Sequence, residues 1–465
     1  MTEVIEKKSK WDKVFKVGVI FFTFLLLLVG IAYAFTDVGP AAANYNKNLA
    51  AAKSVGLCFN SADVAKYYRV ADNDNGALLL DDFVFQMKAM QKEVDYSESS
   101  TTDAEFLKIW PKLEAFLPIL KQAVEKPHFV FRRKMNTPWD YPPGPGRVMI
   151  FVTRAMRRVK IAGIRNEKDV AIDLLTLCAK LASLLDEEPE TYSIVKRTST
   201  SGKVEMTIRD LIPTHGRDPS WQEGFGNVLG LLEKQFDVKT SVRVEHWSLI
   251  RRAEIMMGRG DLTELGFKSE DSTPTVTMFS KIIPRFKSAN ISRLNELRAK
   301  LVESIPEDKE DIVGLKKALS DYDNNMWAHE PQDLSYRYLL EGYSETRGLG
   351  EGIEVDICRR NTLRQALALL ARKADPSKGL PLSGRLAIDV GGGKIQMAHL
   401  NKGWIVYSIG RNLRDEHTSL NSYSDDFVVH LSTATVPPPP PIKPPPPVTK
   451  VITRRHDGIV REVSP

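Results

Sequence analysis

VMIFVTRAMRRVKIAGIRNEKDVAIDLLTLCAKLASLL, residues 148–185, decides the fold class of this chain. Val148–Ala162 and Glu167–Leu185 each place apolar side chains three and four apart, and Gly163 to Asn166 stands between them as a turn. In the second arm, positions 170, 174, 178, 181 and 185 fall on one face of a helix with 3.6 residues per turn. The segment therefore predicts an αα-hairpin. Cys178 lies inside that stripe and reads as a small buried hydrophobe. Arg154, Arg157, Arg158, Lys160 and Arg165 read as the solvated face of the hairpin.

The same periodicity extends in both directions. Downstream, Trp221–Phe236 repeats apolar residues at 225, 228, 229, 232 and 236, and helical character continues in Val242–Met257, Ile291–Val302, Ile312–Leu319 and Arg360–Lys373. Upstream, Asn44–Val55 reads as a helix stopped by Gly56. Asp72–Gly76 (DNDNG) supplies caps for a helix near Ala77–Met90, and Asp103–Leu120 reads as a helix bent at Pro111 and Pro118. Residues 36–375 are thus expected to be a mainly α domain.

After Pro376 the texture changes. Short β-rich runs, GRLAIDVGG, KIQMAHL and GWIVYSIG, alternate with glycines, so residues 376–432 predict a small antiparallel β module. Leu386 to Ser408 forms its core, with Asp425–Leu431 as an added edge. Val436–Val448 (VPPPPPIKPPPPV) can only be polyproline II or disordered, so residues 433–465 read as a disordered proline-rich tail.

The other end carries VGVIFFTFLLLLVGIAYAF, residues 17–35, nineteen residues without a charge. At about 1.5 Å per residue they reach roughly 28 Å as a helix, close to the hydrocarbon thickness of a bilayer. Lys7, Lys8, Lys10, Lys13 and Lys16 precede the run, and only Lys47 follows it as far as residue 52. The positive-inside rule then makes residues 1–16 a cytoplasmic basic tail and residues 17–35 a signal anchor, with the body outside the cytoplasm. Ala32-Tyr33-Ala34 also fits a signal-peptidase site, which would free the body on the same side.

Composition narrows function without naming it. Sixty-five basic and 59 acidic residues leave a net charge of +6, too balanced to imply nucleic-acid binding. Cys58, Cys178 and Cys358 are far apart, and no CxxC or Cys/His cluster offers zinc spacing. The eight histidines include no HExxH pair, and no cofactor signature is present. Ala387–Leu400 (AIDVGGGKIQMAHL) has the look of a phosphate loop, but Ile395 follows Lys394 where a P-loop needs Ser or Thr, and a glycine hairpin turn explains it. Residues 126–146 (KPHFVFRRKMNTPWDYPPGPG) set Phe129, Phe131, Trp139 and Tyr141 among Arg132, Arg133 and Lys134. Phe129, Arg132, Arg133, Trp139 and Tyr141 are the candidate binding loop; the plainer reading is that the aromatics pin the loop to the core.

Asn44–Met90, residues 126–187, and Gly403–Asp415 with Asp425-Asp426 together resemble a group of uncharacterised membrane-anchored bacterial proteins of planctomycete-like and neighbouring phyla. The closing stretch GWIVYSIGRNLRD is also similar to the C-terminal hairpin of type II secretion major pseudopilins, where calcium binds. Tyr407, Ser408, Gly410, Asp415 and Asp425 match that pattern, which makes Asp415 and Asp425 candidate metal ligands. The chain departs from it in Glu416-His417, which stand where the family has glycines. The first resemblance implies a single-pass protein of the bacterial inner membrane, N-terminus inside. The expected role is binding or scaffolding in the cell envelope, with the proline-rich tail meeting an envelope protein. Two alternatives are an envelope hydrolase using the 126–146 loop and a secretion- or pilus-associated component. No catalytic constellation emerges from spacing.

Overall fold

The computed structural model describes residues 17–28, 40–90, 102–135, 141–233, 236–255, 284–309, 311–328, 344–371, 379–389, 392–400, 403–409 and 426–431. It is mainly helical, with one three-stranded antiparallel sheet. The helices are α1 (residues 17–28), α2 (Pro40–Ser54), α3 (Ser61–Ala65), α4 (Asp81–Ala89), α5 (Asp103–Glu114), α6 (Leu117–Ala123), α7 (Gly144–Ile164), α8 (Lys168–Leu184), α9 (Thr191–His215), α10 (Pro219–Leu231), α11 (Val238–Glu254), α12 (Pro284–Ser304), α13 (Ile312–Ala328) and α14 (Ser344–Ala371). The strands are β1 (Gln396–Leu400), β2 (Gly403–Ser408) and β3 (Phe427–His430). Two compact units emerge: residues 1–204 with 227–356, and residues 205–226 with 357–465.

In the first unit α7 and α8 form the expected hairpin. Asn166 adopts φ 56, Asn166 N–H donates to Gly163 O at 3.0 Å, and Glu167 N–H donates to Ala162 O at 2.8 Å. This pair of bonds closes a helix C-terminus through one left-handed residue, a conformation asparagine tolerates. Val148, Phe151, Val152, Ala155 and Val159 bury one face of α7, and Leu174, Leu175, Cys178 and Leu181 bury one face of α8. Phe83 of α4 meets Phe151 edge-on at 5.9 Å and Phe116 at 5.2 Å. The arginine face is not simply solvated: Arg154 is buried, Arg157 pairs with Asp103 and lies over Phe106, and Arg158 pairs with Glu167. The stems of Arg157 and Arg158 can lie along apolar surface while their heads reach carboxylates.

The predicted helix at Asp103–Leu120 is two helices. Pro111 sits inside α5 without ending it, and the break comes after Glu114, before Pro118 in the first turn of α6. A capping box between Thr102 and Glu105 starts α5. The predicted helix near Ala77–Met90 begins as a 3-10 turn, Gly76–Leu80, capped by the Asn75 side chain. Helix α2 ends at Gly56, φ 79, where Leu57 N–H reaches Ala52 O at 3.1 Å, and it packs along α12 with Asn48 bonded to Ser292.

In the second unit, His215 stacks on Trp221 at 4.1 Å, and residues 357–371 of α14 hold the segment before the sheet. Gln365 donates to Leu382 O at 2.8 Å and Leu386 O at 3.0 Å, and accepts from Leu382 N–H at 3.1 Å. Those bonds keep Gly384–Ala387 as a 3-10 turn, where strand had been expected. The glycine turn follows as a hairpin, with Asp389 N–H on Gly393 O at 2.9 Å. Its carboxylate accepts from the Ser408 hydroxyl and from Ile409 N–H, tying the turn to the end of β2. Strand β2 is central, with Gln396 opposite Tyr407 on one side and Ile405 opposite His430 on the other.

Candidate functional site

The aromatic-basic loop runs extended over residues 129–133 and is strapped down along both edges. On one edge the Asn75 side chain donates to Val130 O at 2.7 Å and accepts from Val130 N–H at 2.9 Å, as a neighbouring strand would. Backbone bonds between Asp74–Gly76 and His128 begin the same pairing. Gly76 is required there, because a Cβ would strike the Ala123 carbonyl. On the other edge Glu187 accepts from Phe129 N–H at 2.8 Å, and Glu188 accepts from Phe131 N–H. Phe129, Val130 and Phe131 are buried, and a Cβ on Gly144 would collide with the Phe131 ring.

Arg133 ends the strap inside an aromatic cage. Its guanidinium carbon lies 6.0 Å from the Tyr68 ring centre, 5.7 Å from Tyr141 and 5.5 Å from Trp247. Glu190 closes the cage with an ion pair to Arg133 and accepts from the Tyr68 hydroxyl at 2.7 Å. The Arg133 and Glu190 side chains are only 2% and 1% exposed. Removing either partner of such an enclosed pair would leave a buried charge with neither water nor counter-ion. Burial, then the Glu188 charge, push the Tyr68 hydroxyl pKa well above its usual value. Burial also raises the Glu188 carboxyl to about 8, against the pull of Phe131 N–H and of Arg133, with Glu187 adding to the rise.

Of the five loop residues singled out in the sequence, Arg133 and Tyr141 meet in the cage, while Phe129 is buried against Phe131 further along the strap. Arg132 is 67% exposed and pairs with Asp72 at 3.2 Å; Trp139 lies outside the described residues. The space between Arg133, Tyr141, Glu190, Glu245 and Trp247 is too tight for a water molecule. Asp415, Asp425 and the proline-rich tail also fall outside the described residues. Among the described residues, no group of three or more His, Cys, Asp or Glu is placed to hold a metal ion.

Sequence reasoning missed the acids. Asp186-Glu187-Glu188-Pro189-Glu190 puts four carboxylates into five residues, and Glu188 and Glu190 are buried. That density was the one signal the sequence offered; the fold alone brings it against the loop with its consecutive arginines. A second feature lies elsewhere in the same unit: a groove of about 600 Å³ lined by Leu49, Lys53, Phe59, Asp63, Lys66 and Tyr67. Its volume falls in the range of small-ligand sites. Cys58 also borders it, but burial first, then Asp63, push the thiol up to about 12, so it is no nucleophile at neutral pH. The chain matches no protein-family model, no curated protein and no solved structure.

Proposed function

We propose that this chain is a single-pass protein of the bacterial inner membrane, anchored by residues 17–35 with its N-terminus in the cytoplasm. Its helical body then acts outside the cytoplasm as a binding or scaffold element of the envelope. One observation carries the anchor. Residues 17–28 are helical and every side chain among them is exposed, including Phe21 at 66%, Phe22 at 61% and Leu27 at 58%. Among the described residues no helix is long and apolar enough to cross a membrane, and α1 supplies twelve of the nineteen residues in the run. Ten large apolar side chains on those twelve residues are left uncovered by the body. Removing them from water stabilises by about 1.5–3 kcal/mol each, on the order of 20 kcal/mol together, which a bilayer supplies. Thr23 returns its hydroxyl to Val19 O at 2.8 Å, the bond that suits a hydroxyl to hydrocarbon.

Binding is supported by the 600 Å³ groove and by the proline-rich stretch 436–448, a composition that presents a stiff ligand to a partner. The test of anchorage is extraction of cell membranes at alkaline pH. Full-length protein is expected to stay in the pellet and a variant lacking residues 1–35 to leave it. Release of the full-length chain would remove the anchor from the proposal.

A further inference from the structure

The four carboxylates of residues 186–190 are not equivalent. Asp186 meets Arg197. Glu187 accepts from Phe129 N–H and lies 3.6 Å from His128 Nδ1. Glu190 meets Arg133 and the Tyr68 hydroxyl. Glu188 is 1% exposed and forms no ion pair among the described residues. One of its oxygens takes Phe131 N–H and the other has no hydrogen-bond partner.

We propose that residues 129–133 are a pH-responsive strap, which stays docked while Glu188 is protonated and loosens when Glu188 ionises. The reason is charge placement. The charged and titratable groups that act on Glu188 are Glu187 on its own segment, Arg133 on the strap and Tyr68 in the cage; Asp186 and Glu190 flank it in the chain, His128 meets Glu187, and Tyr141 and Glu245 lie beside Arg133. The one guanidinium that acts on Glu188 among the described residues, Arg133, is already engaged with Glu190. A further negative charge on Glu188 therefore appears in a buried site without a cation of its own, and water is its only remaining solvent. Water reaches it when Phe131 lifts away. Because the strap also carries Phe129 and Arg133, which the docked form hides, the loosened form joins them to the already exposed Arg132 as one basic-aromatic segment. Its chemistry fits an acidic partner.

The test is hydrogen exchange of the Phe129–Arg133 amides in full-length, detergent-solubilised protein at pH 6, 7, 8 and 9, corrected for the intrinsic pH dependence of exchange. Linkage between an open carboxyl at 4.5 and a docked one at about 8 gives an opening constant that rises about fifty-fold from pH 6 to 8, then levels off within about two-fold. Amides in the buried face of α8 serve as the reference and are expected to hold steady. Glu188→Gln keeps an oxygen for Phe131 N–H and cannot ionise, so its profile is expected to be flat. A wild-type rise below three-fold, or the same rise in E188Q, overturns the strap. If E188Q does not fold, the wild-type curve decides alone, with E187Q expected to retain the rise.

Discussion

Replacing Arg133 with alanine leaves Glu190 buried without its cation. Glu190 is 1% exposed on its side chain, and what remains to it is the Tyr68 hydroxyl at 2.7 Å. Breaking a buried ion pair from one side costs about 3–5 kcal/mol, because the surviving charge has lost both water and partner. The three rings around the guanidinium also lose their filling, since Tyr68, Tyr141 and Trp247 all lie within 6.0 Å of it. Urea unfolding followed by circular dichroism should place Arg133→Ala at least 3 kcal/mol below wild type. Glu190→Gln in the same background removes the stranded charge, and the double variant should regain about half of that loss. Methylguanidinium at millimolar concentration, entering the vacated cage, should raise the midpoint of the single variant and leave wild type unchanged. A loss below 1 kcal/mol for Arg133→Ala would falsify the claim that the cage holds the loop.

Acid and alkali should destabilise the fold through different residues. Burial, then the Arg298 charge, lower His246 to about 3 against the bond to Asn295, so the unfolded chain takes up that proton first and stability falls as pH drops from 6.5 towards 3. Glu188 keeps its proton to about 8 when folded, so stability falls as pH rises from 4.5 to 8, each slope being about 1.4 kcal/mol per pH unit at most. The two cancel between about 4.5 and 6.5, and a stability plateau in that window is the expected result of urea titrations across pH; a maximum above pH 8 would contradict it. Gly76→Ala should cost at least about 1–3 kcal/mol, since its Cβ meets the Ala123 backbone, while Gly226→Ala meets nothing within 4 Å in α10 and should add about 0.5–1 kcal/mol. Asp389→Ala strands the buried Ser408 hydroxyl and Ile409 N–H and should cost about 1–3 kcal/mol, read as faster amide exchange in β2 with the first unit unchanged.

What was legible in the sequence was whatever local chemistry decides. The α7–α8 hairpin follows from its periodicity and from an asparagine able to turn the corner at residue 166. The antiparallel sheet follows from alternation and from Gly403, whose φ of 142 suits glycine. Helix α9 was missed because much of the buried face of its first half is polar. Thr200 returns its hydroxyl to Lys196 O at 2.6 Å and Ser201 to Arg197 O at 3.0 Å, while Ser201 also donates to Asp356 at 2.5 Å. Side chains that satisfy themselves this way interrupt the apolar stripe, which is confined to Ile194, Val204, Ile208, Leu211 and Ile212, and Gly202 and Pro213 argue against helix. The buried acids were hidden for a related reason. Among 59 acidic residues, only tertiary contacts mark Glu188 and Glu190 as enclosed. The loop's aromatics illustrate the plainer of two readings open at the start: Phe129 and Phe131 hold the segment to the core, and Arg132 remains at the surface.

Topology is the most direct test of the proposed function, because every envelope role depends on it. Fusions of alkaline phosphatase, active only outside the cytoplasm, and of a fluorescent protein that matures only inside it would be placed after residue 432 in an inner-membrane host. Phosphatase activity with a dark fluorescent fusion, and membrane association lost when residues 17–35 are deleted, is the result expected of an anchor with its N-terminus inside. A bright fluorescent fusion with inactive phosphatase would put the helical body in the cytoplasm and contradict the proposal outright.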